Sequence, residues 1–209
     1  MMIGSIRETR RGRYALFDEE ERFLFSVDDE TFVKNHIREG MTLDAAALAE
    51  LQRQSDTRRA KEKALGYLSL RDYSSGELYQ KLCRVFDEHS AAAAVAEMNR
   101  LDLLDDERFA RSRVAWLVGQ NKSVREIRYQ LEQKGLDREM IERVLTELEP
   151  NEFEACCALI RKSYLRKLAN GEREKVLAAL ARRGFAYGTA REALECCFEE
   201  LEREREDFE

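Results

Sequence analysis

Apolar positions return along this chain at an interval of 49 residues. Leu82, Leu131 and Leu180 keep it, as do Leu78, Ile127 and Val176, then Val95, Val144 and Ala193, and Tyr67, Trp116 and Leu165. Two polar positions follow in the first two copies: Ser74 matches Ser123, and Glu77 matches Glu126. A fixed period of this size is the mark of stacked helical units, none of which can bury its apolar face alone. That organisation favours an extended binding surface over a single catalytic pocket.

Within each period the pattern predicts three helices. In the first, Leu65 and Leu68 share a helix that ends near Arg71. Ser74 to Glu77 then forms a capping box, in which the serine oxygen takes an amide and the glutamate reaches back. Leu78, Leu82 and Phe86 follow on one face, and a third helix covers 91–101. In the second, Asp105 or Asp106 caps a helix carrying Phe109, Ala110, Val114, Trp116 and Leu117, with Trp116 a core residue by its register. Ser123 to Glu126 repeats the capping box ahead of Ile127 and Leu131, Gly135 stops that helix, and Asp137 opens the helix of Ile141, Val144, Leu145 and Leu148. The third is looser: helices over 153–168, 172–183 with Gly184 as the stop, and 189–202.

The N-terminal segment reads differently. Residues 14–16 and 23–27 are short apolar runs separated by a polar turn at 18–22, and Ile3 and Ile6 suit a further strand. Asp28 or Asp29 can cap a short helix with Phe32, Val33, His36 and Ile37, ended by Gly40. Thr42 can cap another bearing Leu43, Ala47, Leu48 and Leu51, and residues 52–56 suit a joint. The fold predicted is mainly α: three tandem three-helix repeats (57–104, 105–150 and 151–209) forming an elongated curved array, preceded by a small α/β lobe over 1–56. One proline in 209 residues agrees with long uninterrupted helices.

Charge narrows the partners. The net charge is −6, and residues 199–209 hold seven acids and two arginines, so −5 of it sits in one C-terminal stretch that reads as a solvated acidic tail. Residues 57–104 carry 8 basic and 7 acidic groups, and residues 105–150 carry 9 and 10. Strong autonomous nucleic-acid binding is therefore not indicated. The basic groups that recur beside the unit boundaries are Arg58, Arg59, Lys61 and Lys63 in the first repeat and Lys122, Arg125 and Arg128 in the second. Arg161, Lys162, Arg166 and Lys167 hold that place in the third. On helices their spacing allows basic strips that could meet phosphates or an acidic protein surface.

Catalytic chemistry finds no foothold. The chain has neither a phosphate-binding glycine loop nor a dinucleotide turn, and its two histidines, His36 and His89, stand apart from ligand-spaced cysteines or carboxylates. Asp105 and Asp106 read as helix capping, and Cys156, Cys157, Cys196 and Cys197 as small buried hydrophobes. No metal or cofactor is expected. Five cysteines without an apolar leader point to reduced thiols in a cytoplasm, and no stretch approaches the roughly 18 apolar residues of a membrane span. Arg113 falls on the apolar stripe between Phe109 and Trp116. It reads either as an arginine laying its stem there with its head in solvent or as a contact point in a groove.

Several of these runs resemble the RecX family of regulatory proteins: ALGYL at 64–68, RDYS at 71–74, Glu77-Leu78 and Lys81-Leu82, LLDDERFA at 103–110, and IRYQLEQKGL at 127–136. The N-terminal FSVD at 25–28 is similar too. The resemblance spans nearly the whole chain, is strongest over 57–148, and weakens in the third repeat. Phe86 departs from it, standing where Gly135 and Gly184 turn the chain in the other repeats. It implies a bacterial cytoplasmic protein built from tandem three-helix units, in keeping with the lack of a catalytic constellation, and a monomer is expected. Such a protein lies along the RecA recombinase filament on single-stranded DNA and hinders strand exchange, ATP hydrolysis and repressor cleavage. The contact residues expected are Arg58, Lys61, Lys63 and Arg71 in the first repeat and Arg111, Lys122, Arg125, Arg128 and Lys134 in the second, and weak direct binding to DNA is left open. The reading that competes with it is a helical DNA-binding regulator acting without RecA, because three-helix units can present a helix to the major groove; a helical scaffold with no filament or nucleic-acid role is a third.

Overall fold

The computed structural model describes residues 1–10 and 12–206, and the side chains of all but 204–206 among them; the last three positions of the acidic tail lie outside the described residues. The chain folds as two compact units, Met1–Leu104 and Asp105–Glu209.

The first unit opens on an antiparallel sheet in the order β1 (Ser5–Glu8), β2 (Arg13–Phe17), β3 (Phe23–Asp28), with Ser5 opposite Phe17 and Tyr14 opposite Val27. The polar turn at 18–22 is held by Asp18, whose carboxylate accepts from the amides of Glu20 and Arg22, both at 2.9 Å. Leu16, Phe25 and Val27 bury one face of the sheet with Ile3, Ile37, Leu43 and Leu51. Asp28 caps α1 (Asp29–Lys34), which is shorter than predicted: His36, at φ +48°, already lies beyond it.

Two expectations for this unit are corrected. Asp44 rather than Thr42 caps the next helix, its carboxylate accepting from the Ala47 amide at 2.7 Å. That helix, α2 (Ala45–Leu68), runs without a break through residues 52–56, where a joint was expected. The segment contains neither glycine nor proline, so nothing interrupts the hydrogen-bond ladder. The lobe and the first repeat therefore share a helix, and Ser55 on it accepts a 2.9 Å bond from Arg13 of β2. Above it α3 (Ser75–Leu82) and α4 (Glu88–Arg100) complete a core of Ala60, Ala64, Leu78, Leu82, Ala91, Ala94 and Met98.

In the second unit, α5 (Asp106–Gly119), α6 (Val124–Gln133) and α7 (Arg138–Leu148) enclose Ala110, Val114, Leu117, Ile127, Leu131, Ile141 and Val144, all fully buried. The third repeat holds four helices instead of three: α8 (Glu152–Ser163), α9 (Leu165–Ala169), α10 (Arg173–Arg182) and α11 (Tyr187–Glu206). The helix expected over 153–168 is interrupted at Tyr164, whose φ of −129° leaves the helical region. Cys156, Cys157 and Cys197 are core residues here, as predicted, whereas Cys196 is only part-buried.

The middle helices keep the 49-residue interval, for Leu78, Ile127, Val176, Leu82, Leu131 and Leu180 are all fully buried. The flanking helices do not. Ala60 and Ala64 match Ala110 and Val114 at an interval of 50, and the caps Asp87 and Asp137 also stand 50 apart. One residue is lost between the first and second helices and one is regained at the turn where Gly135 adopts φ +71°. The first repeat has Phe86 there and ends α3 differently, the Phe86 amide bonding the Leu82 carbonyl at 2.9 Å. This slip corrects the placement of Trp116, which is 51% exposed and not core.

Candidate interaction surface

Serine caps position the surface of the second repeat. The Ser123 hydroxyl accepts from the Glu126 amide at 3.2 Å and donates to the Arg183 carbonyl at 2.7 Å, joining the start of α6 to the end of α10. The return bond expected from Glu126 is not made: its carboxylate takes the Gln130 side-chain amide at 2.7 Å, and Glu152 takes the Val124 amide at 3.1 Å. In the first repeat Ser74 caps α3 in the same way, accepting from the Glu77 amide at 3.1 Å. Asp105 caps α5 through the Arg108 amide at 2.8 Å.

The basic residues singled out from sequence divide by environment. Arg58 pairs with Glu30, and with Glu62 at 3.3 Å. Lys61 lies 3.9 Å from Glu97, and Lys63 sits over the Tyr67 ring at 5.4 Å. Arg71 forks onto Glu77 at 2.9 and 3.1 Å while covering the Tyr73 ring at 3.6 Å. Arg111 is tied to Glu107 at 2.6 Å and Glu147 at 2.9 Å, and Arg128 to Glu142 at 3.0 Å. Those hydrogen bonds raise both guanidinium pKa values and lower those of Glu147 and Glu142. Lys134 is at the C-terminal cap of α6. Lys122 and Arg125 differ, since neither enters an ion pair with a described residue.

Those two open onto a cleft between the second and third repeats. A hollow of about 390 Å³ is lined by Lys122, Ser123, Lys162, Ser163, Arg182 and Arg183, among others. A second, of about 430 Å³, adjoins it through Glu126, Arg182 and Arg183 and adds Arg125 and Tyr129. Five cations thus face one lining carboxylate, Glu126, and Tyr129 in the lining is 56% exposed. Sequence reading missed Arg182 and Arg183. The signal available was a basic pair directly before Gly184, in register with the Gln133 and Lys134 that precede Gly135. Arg161, Arg166 and Lys167 do not line the cleft, and Arg161 is bound to Glu200 at 2.8 Å.

Arg113 corrects its solvent-directed reading. Its guanidinium lies 4.2 Å from the Trp116 ring centre and donates to Gln130 at 3.2 Å, while its Nε is buried without a partner. The stem is on the stripe, but the head is held between α5 and α6. Among the described residues, no three His, Cys, Asp or Glu side chains are grouped to hold a metal, and no helix is long and apolar enough to cross a membrane.

Comparison with known proteins identifies the repeats. The model of the first three-helix domain of RecX matches residues 60–98, and that of the second three-helix domain matches 105–145. The chain is 32% identical over 143 residues to a regulatory protein RecX of Prosthecochloris aestuarii, covering 68% of this chain and 95% of that protein. It is 29% identical over 192 residues to that of Caldanaerobacter subterraneus subsp. tengcongensis, covering 90% and 95%. A crystal structure of a regulatory protein RecX superimposes with a TM-score of 0.63 at 23% identity over 91% of this chain and 97% of the other. RecX from Lactobacillus salivarius gives 0.57 at 24% identity over 70% and 97%. At those identities the two structures speak for the fold alone.

Proposed function

Because the chain belongs to the RecX family of regulatory proteins, a family of regulators and not of enzymes, we propose that it acts on the RecA filament assembled on single-stranded DNA. In this reading it is a cytoplasmic monomer in DNA repair and the SOS response. It inhibits recombination, ATP hydrolysis and coprotease activity by occupying the filament. The organisation we propose is the N-terminal lobe followed by three repeats, with α2 shared between the lobe and the first of them.

The observation that carries the reading is the coincidence of family and charge in the second repeat. Residues 105–145, matched to a RecX three-helix domain, present Lys122 and Arg125 unneutralised beside Arg128. Contacts spread over several repeats make binding multivalent, so charge removed from one repeat weakens it without abolishing it. Exposed charges act chiefly through association rate and salt sensitivity. A pull-down with preassembled RecA–single-stranded-DNA filament, against RecA alone and DNA alone, tests the proposal. Stronger retention by the filament than by RecA alone or DNA alone is expected, and absence from the filament rejects it. The five-cation cleft favours a second reading, a DNA-binding regulator acting without RecA, for which retention by DNA alone is the expected result.

A further inference from the structure

Several arginines of the Asp105–Glu209 unit are held by carboxylates. Arg111 is bound to Glu147, Arg128 to Glu142, Arg143 to Glu107, Arg161 to Glu200 and Arg191 to Glu195. The cations that line the cleft at the second and third repeats are gathered without such a pair. Among the described residues, none of Lys122, Arg125, Lys162, Arg182 and Arg183 enters an ion pair, and of the five only Arg183 has a recorded side-chain contact, over the Tyr164 ring at 5.3 Å. The residues come from the turn before α6, from α6 itself, from α8 and from the end of α10, so folding itself gathers them. Like charges brought together repel, and the protein gains nothing from the arrangement until an anion enters.

The shape selects the anion. The first hollow, about 390 Å³, is large enough for a phosphorylated group, and the hydroxyl of Ser163 and the side-chain amide of Asn121 add neutral polar groups to its lining. Arginine forks match phosphate oxygens in pairs. The adjoining hollow continues the charge and is lined also by Tyr129, whose exposed ring can take a base face. The first-turn amides of Val124 and Glu126 are already bonded, so the side chains must do the binding.

We propose that this cleft binds successive phosphate groups, with Lys122, Lys162 and Arg182 on the phosphate oxygens and Arg125 and Tyr129 receiving the rest of the ligand. The phosphates belong either to a nucleic-acid strand or to a free polyphosphate. The site does not depend on the filament reading and needs no recombinase to be tested.

The full chain is titrated separately with a labelled oligothymidylate, with inorganic tripolyphosphate and with oligoglutamate, without RecA. The K162Q/R182Q variant removes two exposed cations that make no ion pair, and R191Q/R203Q removes two cations elsewhere in the same unit as a control. Circular dichroism verifies that both are folded. The wild type and the control are expected to bind one of the phosphate ligands, and K162Q/R182Q to bind it roughly tenfold more weakly at about 0.1 M salt. For the oligonucleotide the slope of log affinity against log salt should fall by roughly 1.4, the share of two phosphate contacts on a single strand. Weakening of the oligonucleotide by Y129A as well assigns the phosphates to a nucleic-acid strand; binding of tripolyphosphate alone assigns them to a free polyphosphate. The proposal is overturned if neither phosphate ligand binds, if K162Q/R182Q binds like the wild type, or if oligoglutamate binds most tightly.

Discussion

The hydroxyl of Ser123 donates to the main-chain carbonyl of Arg183, sixty residues away, at 2.7 Å. The same oxygen caps α6, so one buried group both starts a helix of the second repeat and fixes the end of a helix of the third. Next to the acceptor, Gly184 turns the chain at φ +90°, and a Cβ placed on it would stand 2.7 Å from the Ser123 oxygen. The serine thus sets both a bond and a steric limit.

S123A should lower stability by about 2 kcal/mol, combining a lost cap with a carbonyl left without its partner. G184A should cost at least about 2 kcal/mol, since a left-handed residue gains a side chain with no room for it. In the double variant the contact is relieved, so the losses should sum to less than the singles by about 0.5 kcal/mol or more. Urea denaturation midpoints measure this, and simple additivity would contradict the coupling.

The corrected register makes a sharp contrast between Trp116 and Leu131. L131A empties a fully buried site in the second repeat and should cost about 2–5 kcal/mol. W116A removes a half-exposed ring stacked on Arg113 and should cost about 1 kcal/mol or less. Equal losses would restore Trp116 to the core.

The thiols of Cys156 and Cys157 are pushed up to about 12 by burial, and that of Cys197 is raised for the same reason. In the folded protein at pH 8 these three should resist iodoacetamide, which attacks thiolate, whereas all five cysteines should react in denaturant. An unfolded thiol ionises near about 8.5, well below the folded values. The folded state therefore holds its protons longer, and this contribution is intact below that pH and lost as pH rises toward about 12. Stability measured from pH 8 to 11 should fall, and less steeply in a C156A/C157A variant.

Much of this fold is legible in the sequence because local chemistry and packing agree there. The Ser74 and Ser123 caps, the Asp28, Asp105 and Asp137 caps and the middle-helix leucines can each be found from spacing alone. The slip of the outer helices could not, because one residue lost ahead of Ser123 is regained at Gly135 and the net period hides both. Residues 52–56 are polar and suggest a joint, yet polarity without a breaker is equally an exposed helix face. The cleft was only half visible. Lys122 and Arg125 lie in a recognisable motif, but Arg182 and Arg183 reach them only through folding.

The most direct test of the regulatory account is RecA-catalysed ATP hydrolysis on single-stranded DNA with this protein added. We expect the wild type to depress hydrolysis. The K122A/R125A/R128A variant should do so less effectively, with the circular dichroism spectrum unchanged. The K61A/K63A/R71A variant of the first repeat should lose less. Hydrolysis unaffected by the wild type at any protein-to-RecA ratio would contradict the account, and loss of inhibition by the first-repeat variant alone would move the contact face out of the second repeat.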